Sequence, residues 1–384
     1  MAVKTGLSRL LEQGLYRDKV IGLITNHTGC GEDLSRNVDL LLQDGYRVGA
    51  IFSPEHGMYG DFQDGESVGH MRDPKTGVTV YSLYGGTMTP SPESLRGLDV
   101  LMFDIQDIGA RHYTYPATML NSMEAAARCA VSFVVLDRPN PLGGLEVEGN
   151  VAPPEHTSFV CPAPVAIRHG LTIGELALLG AEWKDLPTPS IVKLDGWERG
   201  MWFAETALPW VPPSPNAPTL AMAAVYPGTC LVEGVNLSEG RGTPLPFEVV
   251  GAPWLDGDKL ADRMRAMDLP GVLWRPVRFR PTASKWSSQS CGGVQIHIND
   301  PLLLHPVELG VRLLFAVRDL HPGRLVMQVP TEPSEPAKYH LDLLAGGPEL
   351  REALATDATP EALLAKWQAD AVRFQRERQE FLLY

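Results

Sequence analysis

From Val20 onward, short apolar runs alternate with stretches of helical periodicity. Val20 to Thr25, Val48 to Ser53, Leu98 to Phe103 and Ser132 to Leu136 are almost wholly apolar, the pattern of strands covered on both faces of a parallel sheet. Between them, Asn37 to Leu42 and Ala117 to Cys129 carry apolar residues at helical spacing, and such alternation predicts a doubly wound parallel sheet. Met1 to Arg17 reads as an amphipathic helix, Ala166 to Leu176 as the opening of another, and Ile191 to Leu194 as a short strand. From about Pro246 the pattern turns mixed. Phe247 to Val250 is a short strand, Asp256 to Met267 a helix, Val272 to Arg280 and Gly292 to Ile298 paired strands, and Val307 to Leu320 and Pro360 to Phe381 closing helices. The expected fold is α/β: a Rossmann-like parallel sheet over residues 1–245, then a smaller α+β domain over 246–384.

Each apolar run of the first half ends in a polar loop. Asn26 and His27 follow the first, Glu55 and His56 the second, Asp104 to Arg111 the third, and Asp137 to Pro141 the fourth. Ligands of open α/β sheets sit outside the carboxyl ends of the strands, so these loops are expected to share a cleft. A carboxyl and an imidazole there form a proton donor and acceptor; read blandly, they cap local backbone groups. Thr172 and Glu175 have the spacing of a capping box, which makes Glu175 a helix cap before a catalyst. Trp210 to Pro218 holds four prolines in nine residues, a stiff extended loop suited to a pocket wall or a linker. In Glu233 to Thr243, glycines flank Arg241, and Glu239, Arg241 and Thr243 would face one way in an extended chain. Neither a phosphate loop nor a strand-G-x-G-x-x-G-helix unit is present, which excludes the usual nucleotide sites.

Composition narrows the classes further. At 384 residues and 44% hydrophobic, the chain is long enough for two or three domains with a sizeable core. A net charge of −13 argues against nucleic acid or an anionic membrane as partner. No apolar run approaches the roughly 18 residues of a membrane span, and the first residues lack the apolar core of a leader, so a cytoplasmic protein is expected. Five scattered cysteines without C-x-x-C pairing fit reduced thiols rather than zinc or disulfides.

Several long runs carry a resemblance: G-L-I-T-N-H-T-G (22–29), F-S-P-E-H-G (52–57), D-I-Q-D-I-G-A-R-H-Y-T-Y (104–115), L-D-R-P-N-P-L-G-G (136–144), V-E-G-N (147–150), P-P-S-P-N (212–216), Y-P-G-T-C-L-V-E-G-V-N-L-S-E-G-R-G-T (226–243) and the terminal F-L-L-Y. Over essentially its whole length the chain resembles the NamZ-type exo-β-N-acetylmuramidases. The resemblance implies a glycoside hydrolase that releases N-acetylmuramic acid from the non-reducing end of peptidoglycan fragments. It also implies a Rossmann-like domain, a smaller C-terminal domain, and a cleft between them.

Glycoside hydrolysis uses one carboxyl as acid and one as base or nucleophile. Glu55, with His56 beside it, is the choice for the acid. Asp104 or Glu239 is the choice for the second group, unless the sugar's own 2-acetamido group attacks and the partner only orients it. The lactyl carboxylate of N-acetylmuramic acid calls for an arginine, Arg111 or Arg241. Tyr113, Tyr115 and Trp210 are candidates to stack on sugar, each equally readable as core. Asn26, His27, Asp107, Asn140, Glu148, Asn216, Glu233, Asn236 and Thr243 complete the expected substrate contacts. No cofactor or resident metal is expected. Two other readings are a hydrolase whose divalent ion sits among His27, His56, His112, Asp104 and Asp107, and a cell-wall-sugar binding protein without activity. Oligomeric state is left open.

Overall fold

The computed structural model describes residues 2–63, 66, 69–330 and 338–384. Its strands are β1 (Val20–Thr25), β2 (Arg47–Ser53), β3 (Met71–Arg72), β4 (Thr79–Ser82), β5 (Val100–Asp104), β6 (Ser132–Leu136), β7 (Glu148–Val151), β8 (Ala166–Arg168), β9 (Ser190–Val192), β10 (Val249–Ala252), β11 (Val272–Phe279) and β12 (Cys291–Ile298). Its α-helices are α1 (Gly6–Gln13), α2 (Asn37–Gln43), α3 (Thr114–Arg128), α4 (Ile173–Trp183), α5 (Leu220–Thr229), α6 (Gly257–Arg265), α7 (Pro306–Leu320), α8 (His340–Ala345), α9 (Glu349–Leu354) and α10 (Pro360–Glu377).

Seven strands form one sheet in the order β3-β4-β2-β1-β5-β6-β9, parallel except for the edge strand β3. The chain runs outward from β1 through β2 to β4, then returns to β5 and leaves the other way. The strand order therefore reverses between β1 and β5, where Thr25 lies beside Asp104. That reversal is where an open α/β sheet opens its ligand crevice. Alternate residues of each strand face opposite layers. Ile21, Leu23, Ile51, Met102 and Val134 pack with Leu7, Leu10, Val38 and Leu41 of α1 and α2. Ile24, Phe52, Phe103 and Val135 pack with Met119, Leu120, Leu176 and Ala177 of α3 and α4.

The second half builds an antiparallel sheet, β10-β12-β11, covered by α6, which packs in turn on α7. The expected strand pair at 272–280 and 292–298 is present in antiparallel register, Trp274 opposite Ile296. Two helix expectations shift. The helix expected from Ala166 begins at Ile173, because Ala166–Arg168 pair with β7 and Thr172 supplies the cap. The capping box itself is present, with the Thr172 side chain on the Glu175 backbone and the Glu175 side chain returned. The N-terminal helix shrinks to Gly6–Gln13, closed by left-handed Gly14. Helix α5 packs on α7. The backbones meet so closely that a Cβ on Gly228 would lie 1.7 Å from the Pro306 oxygen.

Candidate active site

Glu55 sits just past the carboxyl end of β2, 4% exposed, and the Thr114 hydroxyl at the start of α3 donates to its Oε2 at 2.7 Å. His56 takes a left-handed backbone (φ 69°) and turns its Nδ1 to the Phe62 carbonyl at 2.9 Å, bracing the loop that follows. At the end of β1, Asn26 accepts from both Thr28 N (3.0 Å) and Thr28 Oγ1 (2.6 Å), and its amide donates to the Tyr115 hydroxyl at 2.9 Å. Tyr115 in turn donates to the Pro213 carbonyl, and His27 Nε2 donates to Pro212 O at 2.7 Å. The proline-rich loop is thus pinned over the ends of β1 and α3 by its own carbonyls, which a chain poor in N–H donors presents freely. Asn216 lies half-buried in the same loop. Burial lowers the His27 pKa, so its ring is neutral.

A wall of aromatic rings leads away from Glu55. Tyr113 packs edge-on to Tyr115 (4.9 Å between centroids) and to Tyr226 (6.0 Å), and Tyr226 packs edge-on to Phe247 (4.8 Å). Tyr113 and Tyr115 are buried, so they line the wall edge-to-face rather than offer open stacking faces. At its far end the Arg241 guanidinium covers Phe247 at 5.2 Å. Arg241 donates through Nε (2.9 Å) and Nη2 (2.6 Å) to Glu233 and lies 3.5 Å from Glu239. Glu239, 1% exposed, also meets Lys285 Nζ at 2.9 Å. Lys285 also caps the carbonyls of Val232 (2.9 Å), Glu233 (3.3 Å) and Val235 (2.9 Å). The glycines around Arg241 do permit close approach, but to protein: a Cβ on Gly242 would stand 2.4 Å from Ala283 N. The segment is a turn rather than extended. Thr243 folds back to donate to Gly240 O at 2.6 Å.

Other expected site residues serve the frame. Asp104 is fully buried, with Arg138 Nε at 2.6 Å on one oxygen and Asn37 Nδ2 at 2.7 Å on the other. Arg111 is 1% exposed and donates to Asn150 O (2.7 Å), Val165 O (2.9 Å), Asn150 Oδ1 (3.3 Å) and Leu344 O (3.3 Å), tying the two halves together. Asn140 shapes the turn after β6 through Leu171 O (2.8 Å) and Leu142 N (2.9 Å). Glu148 binds Arg168 (2.8 Å) and the Val307 N–H of α7 (3.2 Å). Asn236 clamps the chain at Arg324 O and Val326 N, both at 2.9 Å. Among the described residues no group of three or more His, Cys, Asp or Glu is placed to hold a metal. His112 is instead buried beside Tyr226, and burial brings its pKa down to about 3. Asp107 is different. It lies in the crevice loop after β5, 1% exposed, with only its Oδ2 engaged, by Gly109 N at 3.0 Å.

Sequence reasoning missed Thr114, Tyr226 and Lys285. The first two stand inside runs singled out above, where the flanking tyrosines and glycines drew the eye. Lys285 stands in the polar 282–291 loop, whose return to Glu239 is a tertiary fact.

An α/β scaffold with carboxyls gathered at its switch point, under a rigid loop and beside a wall of aromatic rings, has the parts of a saccharide-cleaving site. Two family models, described as exo-β-N-acetylmuramidase NamZ N-terminal and C-terminal, match residues 21–221 and 224–384. The chain is 41% identical over 386 aligned residues to the peptidoglycan β-N-acetylmuramidase NamZ of Bacillus subtilis (strain 168), covering 100% of this chain and 91% of that protein. Two crystal structures of DUF1343 family proteins from Bacteroides fragilis NCTC 9343 superpose on it. One has a TM-score of 0.90 at 37% identity and the other 0.79 at 30%, each alignment covering 100% of this chain and 99% of the other. The chain belongs to the NamZ family of exo-β-N-acetylmuramidases, and it is a glycosidase. No helix among the described residues is long and apolar enough to cross a membrane.

Proposed function

We propose that this glycosidase releases terminal N-acetylmuramic acid from the non-reducing end of peptidoglycan fragments, with Glu55 as the general acid. The observation that carries the assignment is the position of Glu55: a buried carboxyl at a strand's carboxyl end, fixed by Thr114 and set among Tyr113, Tyr115 and the proline-rich loop. An acid so enclosed can protonate the departing glycosidic oxygen without competition from water. Asp104 is neutralised by Arg138, and Glu239 by Lys285 and Arg241, so both suit charge-balancing roles better than attack on a sugar. For the lactyl carboxylate we favour Arg241, which keeps 15% of its side chain exposed, over the enclosed Arg111. All five cysteines are free, which fits a reducing compartment, and we place the reaction in the cytoplasm, in the recycling of wall fragments. The deciding assay is hydrolysis of a chromogenic β-N-acetylmuraminide beside the matching glucosaminide, with and without EDTA. Much faster release from the muraminide than from the glucosaminide, unaffected by chelation, is expected. Equal release from both sugars, or none from either, overturns the reading.

A further inference from the structure

The loops around the β1/β5 crevice carry polar atoms that the described residues leave without partners and out of contact with solvent: His27 Nδ1 after β1, Ser53 Oγ ending β2, Asp107 Oδ1 after β5, and Tyr113 Oη at the start of α3. Native proteins leave few buried polar atoms bare, and such a group points to a partner that arrives from outside. Asp107 is the costliest of the four. Burial pushes its carboxyl up to about 6, the Gly109 N–H offsets this in part, and no cation among the described residues pairs with it. The Tyr113 hydroxyl lies in the field of both the Asp107 and Glu55 carboxylates. Its neighbours Ser214 and Tyr115 are themselves hydroxyls and form no well-aligned bond with it. An acceptor lacking a donor therefore stands near the Tyr113 hydroxyl, and the proposed acid lies near that same hydroxyl. Together Asp107 and Tyr113 complement a secondary amide, which offers one N–H and one C=O. The 2-acetamido group of N-acetylmuramic acid is such an amide.

We propose that Asp107 and Tyr113 bind and orient the substrate's 2-acetamido group, so that its carbonyl oxygen is the nucleophile and Asp107 is the second carboxyl of the reaction. This rests on the muramidase reading above. Asp107 accepts from the amide N–H while Tyr113 donates to the amide oxygen. That oxygen forms a bond to the anomeric carbon as the bond to the leaving oxygen breaks, and Glu55 gives its proton to the leaving oxygen. The cyclic oxazolinium so formed keeps its N–H on Asp107. Water then attacks the anomeric carbon, its proton returns to Glu55, and the ring opens to the original acetamide. Two displacements give a product of retained configuration.

The test is steady-state kinetics on 4-nitrophenyl β-muraminides whose N-acyl group is acetyl, fluoroacetyl, difluoroacetyl or trifluoroacetyl. Fluorine weakens the carbonyl oxygen as a nucleophile, so wild-type kcat/KM should fall steadily along the series. Asp107→Asn should lower kcat/KM for the acetyl substrate by about two to four orders of magnitude. It should also abolish the acid limb of the wild-type pH profile near the Asp107 pKa of about 6. Tyr113→Phe should cost roughly ten- to a hundredfold on the same substrate, the effect of one lost hydrogen bond to a developing charge. A flat wild-type series overturns the proposal, as does folded Asp107→Asn with undiminished kcat/KM. If Asp107→Asn does not fold, an unimpaired Tyr113→Phe overturns it instead. A wild-type enzyme inert toward every muraminide defeats the parent reading, and the proposal with it, before any variant is made.

Discussion

At the scale of single residues, the chemistry depends on which charges are already answered inside the protein. Glu55 accepts from the Thr114 hydroxyl and lies beside the Tyr113 and Tyr115 phenols, whereas Asp104 is held by the Arg138 guanidinium. Glu55→Gln keeps the shape and the Thr114 contact but removes the transferable proton, so kcat on a natural disaccharide should fall by about 10²–10⁴-fold. The corresponding loss in kcat/KM, which reports the first displacement alone, should shrink toward unity for a nitrophenyl leaving group, which departs without protonation. Stopped assays on both substrates check this, and an equal kcat/KM loss on both removes Glu55 as acid. Arg241 poses a different question, because Glu233 and Glu239 already flank it. If its guanidinium also meets the lactyl carboxylate, Arg241→Ala should lower kcat/KM on muraminides by roughly ten- to a hundredfold. Residual turnover of a glucosaminide should hardly change. Equal slowing of both sugars would mean that Arg241 only balances its two glutamates. The place of Glu55 just past a strand end was legible in the sequence, because the apolar run before it stops two residues short of it. Arg111 was not, because its four acceptors come from Asn150, Val165 and Leu344, and no local pattern shows that they converge.

At the scale of elements, the strands of the parallel sheet were readable and several of the other pieces were not, for a common reason. A strand covered on both faces must be apolar at every position, and that signal is local. By contrast, β7 and β8 are only four and three residues long and owe their form to each other and to helices far along the chain. Helix α5 escaped notice because Pro227 and Gly228 interrupt it, and both read as breakers. The structure explains both residues. Pro227 is one of the last positions of the helix, where a missing N–H costs one bond. Gly228 is where α5 meets α7, and there a Cβ would stand 1.7 Å from Pro306 O and 3.0 Å from Gly310 N. Backbone rather than a yielding side chain is in the way. Gly228→Ala should therefore destabilise the protein by more than the roughly 1–3 kcal/mol typical of overpacking, despite alanine's better helix propensity. Denaturant titration of the variant checks it, and a neutral or positive change would show that the helices can part without cost.

At the scale of the whole molecule, the two halves do not behave as beads on a string. One hydrophobic cluster runs from Ile24 and Phe52 under the parallel sheet through Tyr226 and Phe247 to Leu314 and Trp367 in the C-terminal helices. The last residues close the loop. Arg378 is buried and donates to His169 O, Gly170 O and Gly144 O, each at 2.8 Å, and to Leu145 O at 3.0 Å. Leu383 N donates to Glu175 Oε1 at 2.8 Å, so the glutamate that caps α4 also receives the chain end. Tyr384 donates to Asp137 Oδ2 at 2.7 Å, just past β6, and accepts from Leu194 N at 2.8 Å. The terminal F-L-L-Y run was recognisable as a motif, yet its purpose lies some two hundred residues away and was invisible to any local reading. A continuous core plus a returning terminus predicts a single cooperative unfolding transition, although the length alone would suggest two. Tyr384→Phe keeps the ring against Trp197 but strips a donor from a buried carboxylate and an acceptor from a backbone N–H. Burial pushes the Asp137 carboxyl up to about 7, so the cost should be about 1–3 kcal/mol, that of leaving buried polar groups without their partner. Because the tail belongs to the second half and its partners lie in the first, that cost should lower the midpoint of the one transition without splitting it. Calorimetry of wild type and variant decides: two resolved transitions in either protein would mean that the halves fold independently and that the terminus is only an ornament on the first.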